Sequence, residues 1–310
     1  MDGIINILKP PGMTSHDVVY FVRRATGIKK CGHTGTLDPG AAGVLPICLG
    51  RATRLARFIT DGDKTYRAEA TLGMETSTQD AFGNILNNRD ASAINSERFN
   101  EVLKSFGGEI TQTPPMASAI KVNGKKLYEL EREGKIIEVP SRTVTIYEIK
   151  IMDSWDWGTP NPRVLFDVTC SKGTYVRTLC SDMGKALGCG AYMSFLLRSR
   201  VAAFGLHNSF TLEEIEIMSR ENKLIDAVIP MTKAVEHLPM VEIHPTANKS
   251  VCSGATLYPS GIRSGLEALN PNDLVRVQLD NRLLGIYKAA IDRKDDAERI
   301  ILRPEVVFSV

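Results

Sequence analysis

Apolar positions along this chain recur at two periods, and the period changes several times. From Asp17 to Thr26, Val18, Phe21, Val22 and Ala25 fall at helical spacing. This predicts an amphipathic helix capped by Ser15 and ended by Gly27. The same spacing recurs from Glu97 to Phe106, with Phe99, Val102, Leu103 and Phe106 inward, Ser96 as cap and Gly107-Gly108 as terminator. Helices are also predicted over 51–60 (RATRLARFIT), over roughly 175–187 with Gly188 closing, and from TLEEIEIM, where Thr211 and Glu214 stand at capping-box spacing. Between them, KTYRAEATLG alternates. Tyr66, Ala68, Ala70 and Leu72 face one way and Thr65, Arg67, Glu69 and Thr71 the other, which predicts a half-buried strand. GVLPICLG, TVTIYEIKIM and RVLFDVTC read as further strands. From about residue 240, short strands (LVRVQL, LLGIYKAAI, RIILRP) alternate with turn residues such as Asp280-Asn281, predicting a small β-rich unit that forms a partly closed barrel. Residues 111–142 break the pattern. Pro114-Pro115, a basic cluster at Lys121, Lys125 and Lys126 and a mixed-charge run up to Pro140 predict an insertion on the surface of the main sheet.

Composition narrows the classes. The chain has 310 residues, enough for one large and one small unit, and no low-complexity tract. Lys and Arg total 38 against 36 Asp and Glu, so a nucleic-acid reading has to rest on where the charges sit. They are uneven: residues 1–70 carry ten basic against six acidic side chains, with Arg51, Arg54 and Arg57 at helical spacing. No basic leader precedes a long apolar core, and no run of 18 apolar residues is present, so a cytoplasmic protein that crosses no membrane is expected. Six scattered cysteines without a CxxC pair predict reduced thiols, and five dispersed histidines give no metal-ligand spacing.

The densest chemical signal is Gly32-His33-Thr34-Gly35-Thr36-Leu37-Asp38-Pro39-Gly40, continuing AAGVLPICLG. Its glycines imply a tight loop where the backbone approaches something closely. Pro39 stiffens the chain just after Asp38 and biases that residue toward an extended conformation. A carboxylate in such a loop is placed for chemistry, although Asp before Pro also commonly starts a turn. A phosphate-binding loop is excluded because no GK[ST] follows the glycines. A phosphoaspartate site is excluded because Gly32 stands where the nucleophilic Asp of DKTGT would be. No GxSxG elbow is present, and no glycine motif after a strand supports a methyltransferase cofactor.

GHTGTLDPGAAGVLPICLGRATR resembles the catalytic motif of the TruB family of pseudouridine synthases. Four further segments resemble that family's motifs in the same order: LKPPGMTS, DKTYRAEATLG, CSKGTYVRTLCSDMG and GAYMSFLLRSRVAAF. The likeness covers roughly residues 3–205 well and the remainder loosely. It implies an α+β fold: a large mixed, mainly antiparallel sheet with flanking helices over 1–239, and a PUA-like RNA-binding barrel over 240–310. It implies isomerisation of uridine 55 in the T loop of tRNA to pseudouridine, with no cofactor, metal or guide RNA. A monomer is the expected state.

By the same resemblance Asp38 is the catalytic carboxylate, Arg177 its charge partner, and Tyr66 the residue that stacks on the base and assists proton removal. Tyr175 and Leu196 complete the pocket, and His33 fills the gap left by the flipped base. Lys9 and Lys64 are structural or phosphate-contacting. Lys121, Lys125 and Lys126, with Tyr128, clamp RNA from the insertion. A non-catalytic RNA-binding or tRNA-folding protein on the same scaffold is the competing expectation.

Overall fold

The computed structural model describes residues 1–118, 120–122, 124–135, 137–294 and 297–308. Strand β1 (Gly3–Lys9) leads into helix α1 (Ser15–Thr26), followed by β2 (Cys31–His33), β3 (Ala42–Leu49), the short helix α2 (Ala56–Thr60) and β4 (Lys64–Leu72). A small hairpin, β5 (Met74–Thr76) and β6 (Ile85–Asn88), then precedes helix α3 (Ser96–Ser105) and β7 (Gly108–Gln112). The insertion holds β8 (Lys121–Val122), β9 (Lys125–Lys126) and α4 (Leu127–Arg132). The main unit continues with β10 (Arg142–Trp155), β11 (Arg163–Cys170), α5 (Val176–Leu187), β12 (Ala191–Val201), β13 (Phe204–Gly205) and α6 (Leu212–Arg220).

Among the described residues nine of these strands form one sheet ordered β1-β3-β12-β4-β11-β10-β7, with β2 beside β3 and β13 beside β12, while β5-β6 and β8-β9 are separate two-stranded pairs. Every pairing is antiparallel except β3 with β12. This is the mixed, mainly antiparallel sheet that the strand pattern implied. One parallel pair joins the segment carrying Asp38 to the segment carrying Leu196. Helices α3 and α5 bury Phe99, Val102, Leu179 and Met183 against Ala68, Ala70 and Phe166. Helices α1 and α6 bury Val18, Val22 and Ile215 against Ile5, Ile7 and Leu45.

A second sheet holds β14 (Met240–Ile243), β15 (Ile262–Ser264), β16 (Leu274–Leu279), β17 (Arg282–Lys294) and β18 (Ala297–Val307), in the order β15-β14-β16-β17-β18. It curls around Val241, Val275, Leu284 and Tyr287 as a half-barrel. Asp280 and Asn281 both take positive φ in the β16–β17 turn, the geometry that a two-residue hairpin requires. The two sheets share apolar packing: Leu283, Ile286, Val306 and Phe308 bury with Ile4, Val44, Cys48 and Phe58.

Local boundaries differ from the expectations in three places. Thr14, not Ser15, caps α1, because Thr14 and Asp17 form a reciprocal capping box. Asn95, not Ser96, caps α3 by accepting from the Arg98 amide. The helix expected over 51–60 divides into a 3₁₀ segment, Gly50–Leu55, and α2. Its arginines are not a loose basic face. Arg51 pairs with Asp2, Arg57 with Glu305, and Arg54 donates to the Val307 carbonyl.

Candidate active site

The loop between β2 and β3 carries Asp38, and its irregular backbone is satisfied by side chains from three directions. Ser15, freed from capping, accepts from the Leu37 amide at 2.9 Å and donates to the Leu37 carbonyl at 3.2 Å. Lys9 is wholly buried and donates to the carbonyls of Pro10 (2.8 Å), Pro39 (3.2 Å) and Ala41 (2.7 Å). Arg198, 1% exposed, donates to the carbonyls of Val44 (2.8 Å), Gly35 (3.1 Å) and Thr36 (3.4 Å). Two buried cations thus take up carbonyls that regular structure leaves unpaired. Leu37 anchors the loop in the core. Gly43 sits at φ +120° where β3 crosses Arg198, and a Cβ there would lie 2.2 Å from the Arg198 carbonyl oxygen, so a side chain has no room.

Arg177, in the first turn of α5 and 5% exposed, gathers the acidic groups. Its Nε lies 3.1 Å from Asp38 Oδ2 and its Nη2 3.4 Å from Asp38 Oδ1. Nη1 reaches Asp80 Oδ2 at 3.5 Å and the Thr78 carbonyl at 3.2 Å, and Nη2 also donates to the Ala117 carbonyl at 2.9 Å. One planar guanidinium therefore ties the β2–β3 loop, the β5–β6 hairpin and the start of the insertion. The Asp38 side chain is 39% exposed on one side, while protein crowds the other. Burial raises its carboxyl above the usual range. Arg177 opposes that rise, Asp80 adds to it, and Lys9 and Arg198 oppose it from further away.

Tyr66 and Arg198 pair across β4 and β12, and the buried guanidinium acts electrostatically on the phenol. Burial raises the Tyr66 phenol, Arg198 counteracts this, and the Asp38 charge adds to the rise, so the tyrosine lies within the field of that carboxylate. Leu196, paired with Ala68 and buried, shares a core cluster with Leu37, against which Tyr66 packs. Tyr175 precedes α5. Its backbone is clamped by Gln112, which accepts from the Tyr175 amide and donates to its carbonyl, and Arg142 lies over its ring at 4.9 Å. The structure therefore gathers Asp38, Tyr66, Arg177 and Leu196 around one end of the β3–β12–β4 sheet.

The remaining candidates separate. His33 closes β2, edge-on to His16 at 5.4 Å, with a buried Nδ1 that has no partner. Burial, His16 and Arg198 bring it down to about 4, so its imidazole is neutral at physiological pH. Lys64 is buried and donates to the Gly62 (2.6 Å) and Thr60 carbonyls. Lys9 and Lys64, each lowered to about 8 mainly by burial, are struts with no face for a phosphate. Lys125 is exposed and pairs with Glu133 at 3.0 Å, while the side chains of Lys121 and Lys126 lie outside the described residues. Among the described residues no cluster of His, Cys, Asp and Glu has metal-ligand spacing, and no helix is long and apolar enough to cross a membrane.

Three site residues are not read from the sequence. Ser15 there reads as a helix cap. Asp80 sits in TSTQDAFG, which looks like a polar turn. Arg198 has a usable signal, since it shares the inward alternation of β12 with Leu196, and an arginine at a core position of a strand needs an internal partner.

The arrangement sets a carboxylate beside a guanidinium, with a phenol and an apolar wall next to it. A carboxylate so placed can stabilise positive charge that develops beside it. Comparison with known proteins agrees in kind. Residues 23–176 match the model of the TruB family pseudouridylate synthase N-terminal domain, and residues 177–236 match that of the tRNA pseudouridylate synthase B C-terminal domain. A protein named tRNA pseudouridine synthase B from Pelotomaculum thermopropionicum is 49% identical over 309 residues, covering 100% of this chain and 98% of its own. One of the same name from Alkaliphilus oremlandii is 51% identical over 258 residues, 83% of each. Among solved structures, an H/ACA RNP bound to a substrate RNA containing 2′-deoxyuridine superposes with a TM-score of 0.75 at 30% identity, over 99% of this chain and 85% of that one.

Proposed function

Because this chain belongs to the TruB family of pseudouridine synthases, we infer that it isomerises uridine 55 in the T loop of tRNA to pseudouridine, without a guide RNA, using Asp38 as its catalytic carboxylate. The observation that carries the role of Asp38 is its position. It is the carboxylate that is both open on one side and held at 3.1 Å by the buried Arg177, within the field of Tyr66. In the reaction the bond from C1′ to N1 breaks, the base turns, and C1′ rejoins at C5. The atom count is unchanged and no electrons are exchanged with a partner. An ionised Asp38 acts as nucleophile or stabilises cationic character at C1′. Arg177 keeps it ionised. Tyr66 stacks on the base and assists loss of the C5 proton, with Arg198 orienting its phenol. Leu196 and Tyr175 bound the pocket.

A uridine inside a folded loop reaches Asp38 only when flipped out, at a cost of a few kcal/mol. A neutral His33 suits the vacated stack, because an uncharged imidazole enters an apolar slot at lower desolvation cost than a cation. The insertion, reaching Arg177 through Ala117, would bring Lys121, Lys125 and Lys126 to the RNA backbone. The second sheet is assigned to the acceptor arm as a PUA-like domain over residues 240–310, and the protein is taken as a cytoplasmic monomer.

The test is a pseudouridine map of unmodified tRNA transcript incubated with the purified protein alone, beside Asp38→Asn. Conversion of the T-loop uridine only, abolished in the variant while tRNA binding stays within about tenfold, is the expected result, since phosphate contacts dominate affinity. Tight binding without conversion by the unaltered chain would favour an RNA-folding protein instead.

A further inference from the structure

Phe82 is the most exposed large apolar side chain near the site, at 77%, yet its position is closely defined. Its ring lies against Gly40, two residues from Asp38, so near that a Cβ on Gly40 would stand 2.0 Å from a ring carbon. The backbone beneath it is held as firmly. The Phe82 amide donates to Asp80 Oδ1 at 3.0 Å, the oxygen that also accepts from the Thr78 hydroxyl at 2.6 Å. The other Asp80 oxygen faces Arg177 at 3.5 Å. Thr76 donates to the Asp80 carbonyl at 2.6 Å, the Met193 amide to the Gln79 carbonyl at 3.0 Å, and Ser77 and Asn84 close the turn through reciprocal bonds. The loop from β5 to β6 therefore presents one aromatic face to solvent from a base fixed to the Asp38–Arg177 pair. A water-exposed phenyl gains nothing for the fold by being held there.

We propose that the Phe82 ring is a stacking platform for an unpaired nucleobase adjoining the flipped uridine. The inference rests on the reading of the site as one that acts on a uridine within RNA. Flipping one nucleotide strips a stacking face from its neighbour. An aromatic ring packed on Gly40, two positions along the chain from the Asp38 carboxylate, and carried on a preorganised loop, replaces that face with little loss of side-chain freedom. Because every base offers a π-face, the platform adds affinity and register and tolerates base identity at that position. Phe82 contributes no group to bond making or breaking; it is a binding residue.

The experiment measures the tRNA dissociation constant and the single-turnover rate at saturating protein for the unaltered chain, Phe82→Ala, Phe82→Trp and Phe82→Leu. It repeats them on transcripts with an abasic nucleotide at each position flanking the target uridine. Phe82→Ala is expected to weaken binding by about 5- to 100-fold, the range for removal of a stacking aromatic. The saturated rate should stay within about threefold. Phe82→Trp restores affinity, whereas Phe82→Leu, apolar but without a π-face, does not. One abasic transcript loses affinity by the same factor on its own, and Phe82→Ala adds nothing to that loss. Unchanged affinity in Phe82→Ala, rescue by leucine, or equal penalties on every abasic transcript would each overturn the proposal. These outcomes are separable from failure of the functional reading, in which the unaltered chain converts no uridine at all.

Discussion

Replacing Arg177 with Met leaves Asp38 and Asp80 facing each other without the guanidinium that now lies 3.1 and 3.5 Å from them. At a separation of ~3 Å and an effective dielectric of ~20, the lost attraction on Asp38 is ~5 kcal/mol. The Asp38 side chain is 39% exposed, so solvent screening reduces this to ~2 kcal/mol. Its loss raises further a carboxyl that burial has already raised. The reactive form is the ionised one. The acid limb of kcat/KM should therefore move to higher pH in Arg177→Met. Stability follows the same sign. A carboxyl whose folded pKa lies above its unfolded value binds more protons when folded, so stability falls as pH rises through that window. Arg177→Met should melt progressively further below the unaltered protein as pH rises through the titration of the Asp38 carboxyl. Arg177→Lys keeps the charge, so its limb should move less. One ammonium, however, cannot span Asp38, Asp80 and the Thr78 and Ala117 carbonyls, and its rate should fall at least tenfold at every pH. Release of tritium from C5-labelled uridine in tRNA, followed between pH 5 and 9, measures both rate effects, and thermal melts over the same range measure the third. An unmoved acid limb in Arg177→Met, or full activity in Arg177→Lys, would refute the reasoning.

Other residues yield sharper or broader effects. Gly43→Ala forces a Cβ into the Arg198 backbone at a positive φ and should cost more than about 2 kcal/mol by denaturant unfolding, with the β3–β12 junction losing amide protection first. Arg198→Met strips the partner from the Gly35, Thr36 and Val44 carbonyls and removes the charge beside Tyr66; kcat should drop at least about 100-fold while the tRNA dissociation constant changes little, and a proportionate loss of binding would contradict a positioning role. Replacing Lys121, Lys125 and Lys126 together with Ala should weaken tRNA binding and flatten its log–log salt slope by on the order of one for each phosphate no longer neutralised, measured by filter binding from 50 to 300 mM salt. An unchanged slope would remove the insertion from the interface.

What is legible in the sequence divides by the range of the interaction. Alternation along β4 and the helical stripes of α1, α3 and α5 are local packing patterns, and they place the sheet and its helices with boundary errors of one or two residues. The cap of α1 is easily misplaced because Thr14 and Ser15 have the same chemistry. Only the tertiary bond from Ser15 to Leu37 separates their tasks. Asp38 is visible because glycine and proline mark its loop. Asp80 and Arg198 are not, since each acquires meaning through a partner roughly a hundred or more residues away, and nothing in TSTQDAFG or LLRSRV names that partner. The lysines show the converse. For Lys9 and Lys64 the sequence leaves a structural and a phosphate-contacting role both open, and the structure has them donating to main-chain carbonyls, a pairing without sequence signature.

The apolar cluster between the two sheets bears on how the protein is made. Ile4 of β1 and Val44 of β3 precede in the chain, by more than about 250 residues, Val306 and Phe308, which pack with them. Arg57 and Glu305 join the same two regions from the surface. On a ribosome the first strands must wait, with an apolar flank uncovered, until residues beyond 300 have emerged. Closure of that flank joins positions of very long sequence separation, and such closures form slowly. Chains stalled between residues 240 and 300 should expose this flank and be retained by factors that bind uncovered apolar surface. The last hairpin thus completes the covering of the first strands.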